Sequence, residues 1–435
     1  MPIAAARVAC AAHGAPRVPQ TAALCSIGVA RHAARCDAMQ LSRESGVARE
    51  SAASIRERWL AAALAALASV LVKLPQLRFA HREPDEVIYW QLAQRLWQDG
   101  VYSLRGTRVL PLLPAEMYDH ALFHHPPLLP LLLGPWAAGS SAPYPPGSAL
   151  AVIWLAHALG VAAVLALGLR LAAGPIGRGA CALAAAALVL DPLGWFCARF
   201  LWIDALSFSC AAMALATGIG SANPRRLALA GLFAGLAGLA KLTGLVVLPF
   251  LLWSAWTNSK RPLHALACAA APAALLVGAW TAYFWSATGA PLPTWIAPSE
   301  AVLARDELMR RGFERSPWLY PWLALSVQPL LAWVLAAAVA SRREFGREAR
   351  VLCACCVLGT AAIGATSWLG TTPVQLRQLA PVAPAFYALA IVLLAQRRAA
   401  LWRWSFAVCV LVAGLGAALS VHGRAIYEAR ALWER

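Results

Sequence analysis

The sequence is poor in charge. Charged types make up 13% of its 435 residues, about half of the roughly 25% found in a typical soluble domain. Hydrophobic types reach 60%, and the mean hydropathy is +0.62. That shortage of charge excludes a disordered chain and an ordinary soluble enzyme. Lysine is rarer still: Lys73, Lys241 and Lys260 are the only three among 37 basic residues. Among the cysteines, metal-ligand and disulfide spacings are missing too. Of 11 cysteines, the tightest group is Cys353-Ala354-Cys355-Cys356, which lies in an apolar run and reads as buried small hydrophobes. No internal repeat is evident. Residues 1–58 hold eight arginines and no apolar run of spanning length, so a disordered cytoplasmic tail is expected there. Met39 is an alternative start for the chain.

Long apolar runs are present in abundance. They fall at 59–80, 148–171, 179–198, 203–220, 227–241, 243–257, 263–287, 318–340, 351–369, 379–396 and 404–422. With about 20 residues needed per crossing, this predicts an all-α polytopic membrane protein with about 11 transmembrane helices over 59–422. Residues 423–435 would form a short outer tail.

The net charge of +17 and a pI near 10 raise the question of nucleic acid, and position answers it. The tail and the short loops on one side carry 21 of the basic residues. The long loop 81–147 balances four basic residues with six acidic ones, and loop 288–317 balances four arginines with four acids. Basic charge thus follows topology, with its excess inside. No nucleic-acid partner is expected.

The segment 227–257 is too long for one crossing and short for two. Arg225-Arg226 precede it and Lys260-Arg261 follow it, so an even number of crossings lies between them. Two short helices of about 22 Å each are expected, broken near Leu242-Thr243-Gly244. Such a break suits a protein that encloses a water-accessible cavity. The first outer loop should hold amphipathic interfacial helices. One runs from Pro84 to about Gln98, with Ile88, Tyr89, Leu92 and Leu96 on one face and Trp90 and Trp97 on its flank; the other spans Leu128–Trp136.

Five groups of residues carry candidate chemistry. Asp85-Glu86 follows the first span; the wheel aims Asp85 toward the apolar face and Glu86 about 100° away. A carboxylate there has a task or a partner, or is a helix N-terminal acid favoured by the macrodipole. His120, His124 and His125 precede Pro126-Pro127; they cap the next helix or, at their i, i+4 spacing, bind zinc. Arg199 and Asp204 flank a turn between spans, where they pair with each other or serve the site. Lys241 lies at the helix break, as a snorkelling lysine or a cation facing a cavity. Arg377 lies at the outer end of a later span. Lys241 and Arg377 are cations on the outer side, which a positive-inside bias does not explain. One carboxylate and two cations suit a general base and an anionic lipid phosphate.

These motifs resemble those of the GT-C superfamily of membrane glycosyltransferases, in particular the branch of protein O-mannosyltransferases and lipid A aminoarabinose transferases. The resemblance rests on Pro84-Asp85-Glu86-Val87-Ile88-Tyr89-Trp90, His125-Pro126-Pro127-Leu128, Trp202-Ile203-Asp204, Gly238-Leu239-Ala240-Lys241, and Arg377 with Pro381 and Pro384. It implies a polyprenyl-phosphate-linked sugar donor and transfer with inversion to an outer-face acceptor. It matches Asp85 to the family's general base, beside Glu86, and by position Lys241 and Arg377 to the donor phosphate. Tyr89, His124, His125, Arg199 and Asp204 would line the site. Some relatives carry an acidic residue and a lysine where this chain has His124-His125, which weakens assignment to aminoarabinose transfer. Relatives differ in metal use, and no cofactor is expected here. The resemblance also implies a bacterial inner-membrane location with the site on the periplasmic side. Residues 305–311 form a solvated helix or part of an acceptor site. The rival readings are a transporter or lipid flippase and a catalytically inactive relative.

Overall fold

The structure is a computed structural model that describes residues 52–74, 84–105, 107, 122, 125–172, 177–290, 329–368, 376–396 and 399–415. The chain divides into Met1–Glu57 and Arg58–Arg435. Of the first unit only the opening residues of one helix are described. Every regular element among the described residues is helical.

The helices are α1 (Ala52–Leu71), α2 (Pro84–Asp99), α3 (Leu128–Leu132), α4 (Gly134–Ala137), α5 (Leu150–Leu171), α6 (Arg178–Val189), α7 (Pro192–Ala198) and α8 (Ile203–Gly218). They continue with α9 (Pro224–Ala240), α10 (Leu248–Asn258), α11 (Pro262–Thr288), α12 (Pro329–Ser341), α13 (Arg347–Trp368), α14 (Ala383–Gln396) and α15 (Ala400–Leu415). Among the described residues, three helical stretches are long and apolar enough to cross a membrane: Gly147–Leu171, Pro262–Thr288 and Arg347–Ala365. Several shorter apolar helices accompany them, among them α6, α8, α12, α14 and α15.

The surface fits lipid better than water. Along α1 the exposed large apolar side chains are Ile55, Trp59, Leu60, Leu64, Leu67 and Leu71, while Ala62, Ala65 and Ser69 face inward. Helical spacing thus presents an apolar stripe outward and a small, partly polar stripe to the core, the reverse of a soluble amphipathic helix. On α11, Leu263, Leu275, Tyr283 and Trp285 are similarly exposed. A contiguous apolar exterior is a liability in water and the ordinary state of a protein in a bilayer.

Inside, small residues let backbones approach. A Cβ added to Gly231 of α9 would lie 2.1 Å from the Ala269 carbonyl oxygen of α11, and one at Gly235 would lie 2.9 Å from Ala273 Cα. Gly160 of α5 accommodates Phe208 of α8 in the same way, and Gly168 accommodates Ile391 of α14. These are the close approaches that glycine and alanine permit between helices in an apolar medium.

The break expected near Leu242-Thr243-Gly244 is present. Asn223 caps the start of α9 by accepting the Arg225 N–H, and the helix ends at Ala240. Lys241 is extended (φ −156°, ψ 129°), and a 3-10 turn, Leu242–Val247, leads into α10. Gly244 is required there, because a Cβ would meet the Ala237 carbonyl at 2.3 Å.

Two expectations need correction. The run 179–198 is not one helix: it breaks between Val189 and Pro192, where Pro192 lacks the N–H that would continue the helix and Asp191 caps the new one. The run 128–136 likewise divides into α3 and α4, with Pro135 opening the second. By contrast, α2 covers the expected Pro84–Gln98 almost to the residue. It is more enclosed than a surface helix, since Val87, Ile88, Tyr89, Trp90, Leu92 and Ala93 are all buried.

Candidate active site

The starts of α2 and α8, the end of α9 and the 3-10 turn Leu376–Leu379 bring four charges of alternating sign together. Arg377 Nη1 donates to Asp85 Oδ2 at 2.8 Å. The same nitrogen lies 3.9 Å from Asp204 Oδ2. Lys241 Nζ donates to Asp204 Oδ1 at 2.7 Å. Each cation is thus flanked by a carboxylate, and the set is electrically balanced.

Local structure explains each placement. Asp85 is in the first turn of α2, where the helix dipole favours an anion. Asp204 is in the first turn of α8 for the same reason. Lys241 is the C-cap of α9, where the unwound backbone turns its side chain out of the helical path and the dipole favours a cation. Arg377 lies over the ring of Trp202, its guanidinium carbon 4.3 Å from the ring centre, and Trp202 stacks in turn on Phe200 at 4.4 Å. A stacked guanidinium has its plane fixed, so its N–H groups are aimed before any ligand arrives.

Exposure separates the two carboxylates. The Asp85 side chain is 28% exposed and that of Asp204 only 2%. Asp85 is the carboxylate open to solvent, and Asp204 is the buried clamp between the two cations. Burial works against the charge of Arg377, but the Asp204 and Asp85 carboxylates outweigh it, so the guanidinium is held more firmly protonated than a free arginine.

A second, uncharged pair adjoins the charges. Tyr89 is buried one turn after Asp85, and its hydroxyl is 2.6 Å from His125 Nδ1, with the rings stacked at 5.9 Å. Burial first, then the carboxylates of Asp85 and Asp204, push ionisation of the Tyr89 phenol well above its ordinary range. The phenol therefore keeps its proton, and its hydroxyl shares a hydrogen bond with His125 Nδ1 whose direction is set by the tautomer of the ring. Tyr102 donates to the His125 carbonyl oxygen at 2.9 Å and meets Trp280 of α11 edge-on. Burial likewise raises the Tyr102 phenol.

The candidates drawn from the sequence divide accordingly. Asp85, Lys241, Arg377, Asp204, Tyr89 and His125 converge. His124 and His120 lie outside the described residues. Among the described residues no group of three His, Cys, Asp or Glu side chains converges as a metal site would. Three roles are corrected. Glu86 is fully buried and accepts the Leu201 N–H at 3.0 Å, so it braces the turn that carries Trp202 and is closed to substrate. His125 does not cap the helix that follows, because the N-cap of α3 is Pro127 with no side-chain cap bond. Asp204 pairs with Lys241, and Arg199 lies over Phe200 at 5.5 Å. The sequence reading did not single out Trp202 or Tyr102 for their roles. An aromatic two residues before an acid at a helix start, Trp202-Ile203-Asp204, was the available signal.

Compared with models of protein families, with curated proteins and with solved structures, the chain matches none.

Proposed function

We propose that the protein is a membrane glycosyltransferase of the GT-C type, moving a monosaccharide from a polyprenyl-phosphate carrier to an acceptor on the outer face of the membrane. The observation that carries this reading is the half-exposed Asp85 carboxylate, aligned by an arginine that also reaches a second, buried carboxylate and its lysine. Sugar transfer from a phosphate needs two things at once. The acceptor hydroxyl must lose a proton as its oxygen attacks the anomeric carbon. The leaving phosphate must keep the electron pair of the broken carbon–oxygen bond in a stabilising field.

Asp85 is placed to take the proton. Arg377 and Lys241 are placed to offset the charge gathering on the phosphate, the kind of electrostatic term whose loss costs about 10²–10³ in rate. In the ligand-free arrangement both cations are neutralised by carboxylates, so the donor phosphate competes for them. Trp202 keeps the guanidinium plane fixed during that exchange. Attack by the acceptor oxygen in line with, and opposite to, the departing phosphate would give inversion at the anomeric carbon. The substrate class calls for a membrane-embedded protein, and the apolar exterior of α1 and α11 suits the lipid tail of such a donor. About 11 crossings, with the Asp85 end of the helices outward, complete the reading. The resident inner membrane of a bacterium is its expected place.

The test is donor turnover in proteoliposomes with radiolabelled undecaprenyl-phosphate sugars and a crude envelope fraction as acceptor. Wild type should consume one donor, and the Asp85→Asn protein should bind it without turnover. Equal activity of the two proteins would remove Asp85 as the base. The broken stretch Lys241–Val247 is the one feature that favours a transporter or flippase instead. That reading predicts movement of label across the bilayer with no sugar transferred.

A further inference from the structure

A second set of ionisable groups lies within the helices and takes no part in the reaction just described. Lys73, just past the end of α1, is fully buried. Its Nζ donates to the Ser69 carbonyl oxygen at 2.5 Å and to Ser69 Oγ at 2.8 Å, and lies 3.2 Å from His157 Nδ1 on α5. Ser69 Oγ is 3.0 Å from the same nitrogen. Nδ1 is thus shared by the Lys73 amine and the Ser69 hydroxyl, with donor and acceptor set by the tautomer of the ring. Nε2 is buried and, among the described residues, makes no hydrogen bond.

What Nε2 faces is informative. A Cβ added at Gly194 would sit 2.6 Å from His157 Nε2 and 3.1 Å from Asp191 Oδ2. The imidazole and the carboxylate therefore crowd the bare Cα of Gly194 from two sides. Asp191 is the cap of α7: its Oδ2 accepts the Gly194 N–H. The other face of the imidazole stacks on Phe208 of α8 at 5.4 Å, one turn beyond Asp204.

The cluster joins α1, α7 and α8 around one histidine of α5. Those three elements adjoin the segments that carry the reaction site. α1 precedes α2 and Asp85, α7 runs into the turn with Trp202, and Asp204 lies in the first turn of α8. Leu-, Ala- and Val-rich helices in an apolar medium slide past one another at small cost, because hydrocarbon contacts are similar in every register. Buried polar groups lack that tolerance, since a displaced donor or charge is left without a partner.

We propose that Lys73, His157 and Asp191 form a positioning network that sets the register of α1, α7 and α8, and thereby the separation of Asp85 and Asp204, which Arg377 bridges. The effect on rate rests on the proposed glycosyl transfer. The effect on geometry does not.

The experiment is amide hydrogen exchange read by mass spectrometry on the full chain in detergent, with Lys73→Met and His157→Gln as variants. Expected is faster exchange in the peptide covering Phe200–Asp204, by about tenfold or more, with α9 and α11 unchanged from wild type. In the turnover assay kcat should fall by roughly 10- to 100-fold, the scale of an ångström-sized misplacement, while KM for the lipid donor stays within about twofold. If Lys73→Met does not fold, His157→Gln carries the same expectations with a smaller change in volume. Unchanged exchange at 200–204 in a folded variant overturns the proposal, and so does equal acceleration in α9 and α11, which marks general destabilisation. If Asp85→Asn proves as active as wild type, the reading of the reaction falls, and the exchange result still decides the network.

Discussion

The α9–α11 interface and the charge cluster at the end of α9 lie within one helix length of each other and are held by opposite means. Between α9 and α11 the fit is one of shape. Gly231 and Gly235 face Ala269 and Ala273 with no room for a methyl group, and no charged group is involved. At the end of α9, Lys241, Asp204, Arg377 and Asp85 are held by charge and direction, with space enough that Asp85 keeps contact with solvent. A shape-held interface is sensitive to volume and indifferent to pH or ligand. A charge-held one tolerates small changes in volume but not in sign, and it can exchange one anion for another. The second property is what a site for a phosphate-linked donor needs.

The largest expected effect breaks the first region. Gly231→Leu should abolish folding, read as loss of a monodisperse peak on size exclusion in detergent. Gly231→Ala should still fold but lose roughly 1–3 kcal/mol of stability, the usual cost of overpacking. If Gly231→Ala unfolds at the wild-type temperature, α9 and α11 are not in the close approach described.

The next effects divide the second region into its reactive and its structural carboxylate. Asp85→Asn should leave the unfolding temperature near that of wild type, since this side chain is the exposed one. It should cost about 10²–10⁴ in donor turnover, the range for a general base. Lys241→Met should do more to stability. It leaves the buried Asp204 without its nearest cation, and removing one partner of a buried pair costs about 3–5 kcal/mol. Because Arg377 remains 3.9 Å from Asp204, the low end is expected. Adding Asp204→Asn to Lys241→Met should recover most of that loss in a thermal scan, although not the activity. An additive double variant would show that the two residues do not form a pair.

How much of this was legible beforehand follows from the same contrast. Helix positions follow from apolar periodicity and from Pro, Gly and Asn at their ends, so α2, α8, α9 and α11 begin and end close to where the sequence puts them. The Lys241 break was legible because charge parity on either side demanded it. The break at Asp191-Pro192 was missed, although an acid followed by proline inside an apolar run is a helix-start signal. The partners were harder to foresee. Asp85 and Arg377 are nearly three hundred positions apart in the chain, and nothing local states that they meet. Helical-wheel geometry aimed Asp85 inward and Glu86 away; the fold buries Glu86 instead, because the 199–202 turn closes over it and supplies the Leu201 N–H. A wheel knows one helix, and burial is decided by the neighbours.

The smallest expected effect sharpens the boundary between charge and shape within the site. Tyr89 belongs to both: its ring is packed in the core, and its hydroxyl meets His125 Nδ1. Tyr89→Phe keeps the packing and removes one hydrogen bond, so it should cost about 1 kcal/mol in thermal unfolding. Its phenol is raised above its ordinary ionisation range, by burial first and then by the Asp85 and Asp204 carboxylates, so it is neutral at every pH below that range. The sign therefore runs one way. Removing the hydroxyl deletes no titration between pH 5 and 9, and the pH profile of donor turnover should keep its shape while its height falls a few-fold. A limb that moves in Tyr89→Phe would mean that the Tyr89–His125 pair itself changes protonation during the reaction. It would then belong with Asp85 among the groups that handle the acceptor's proton.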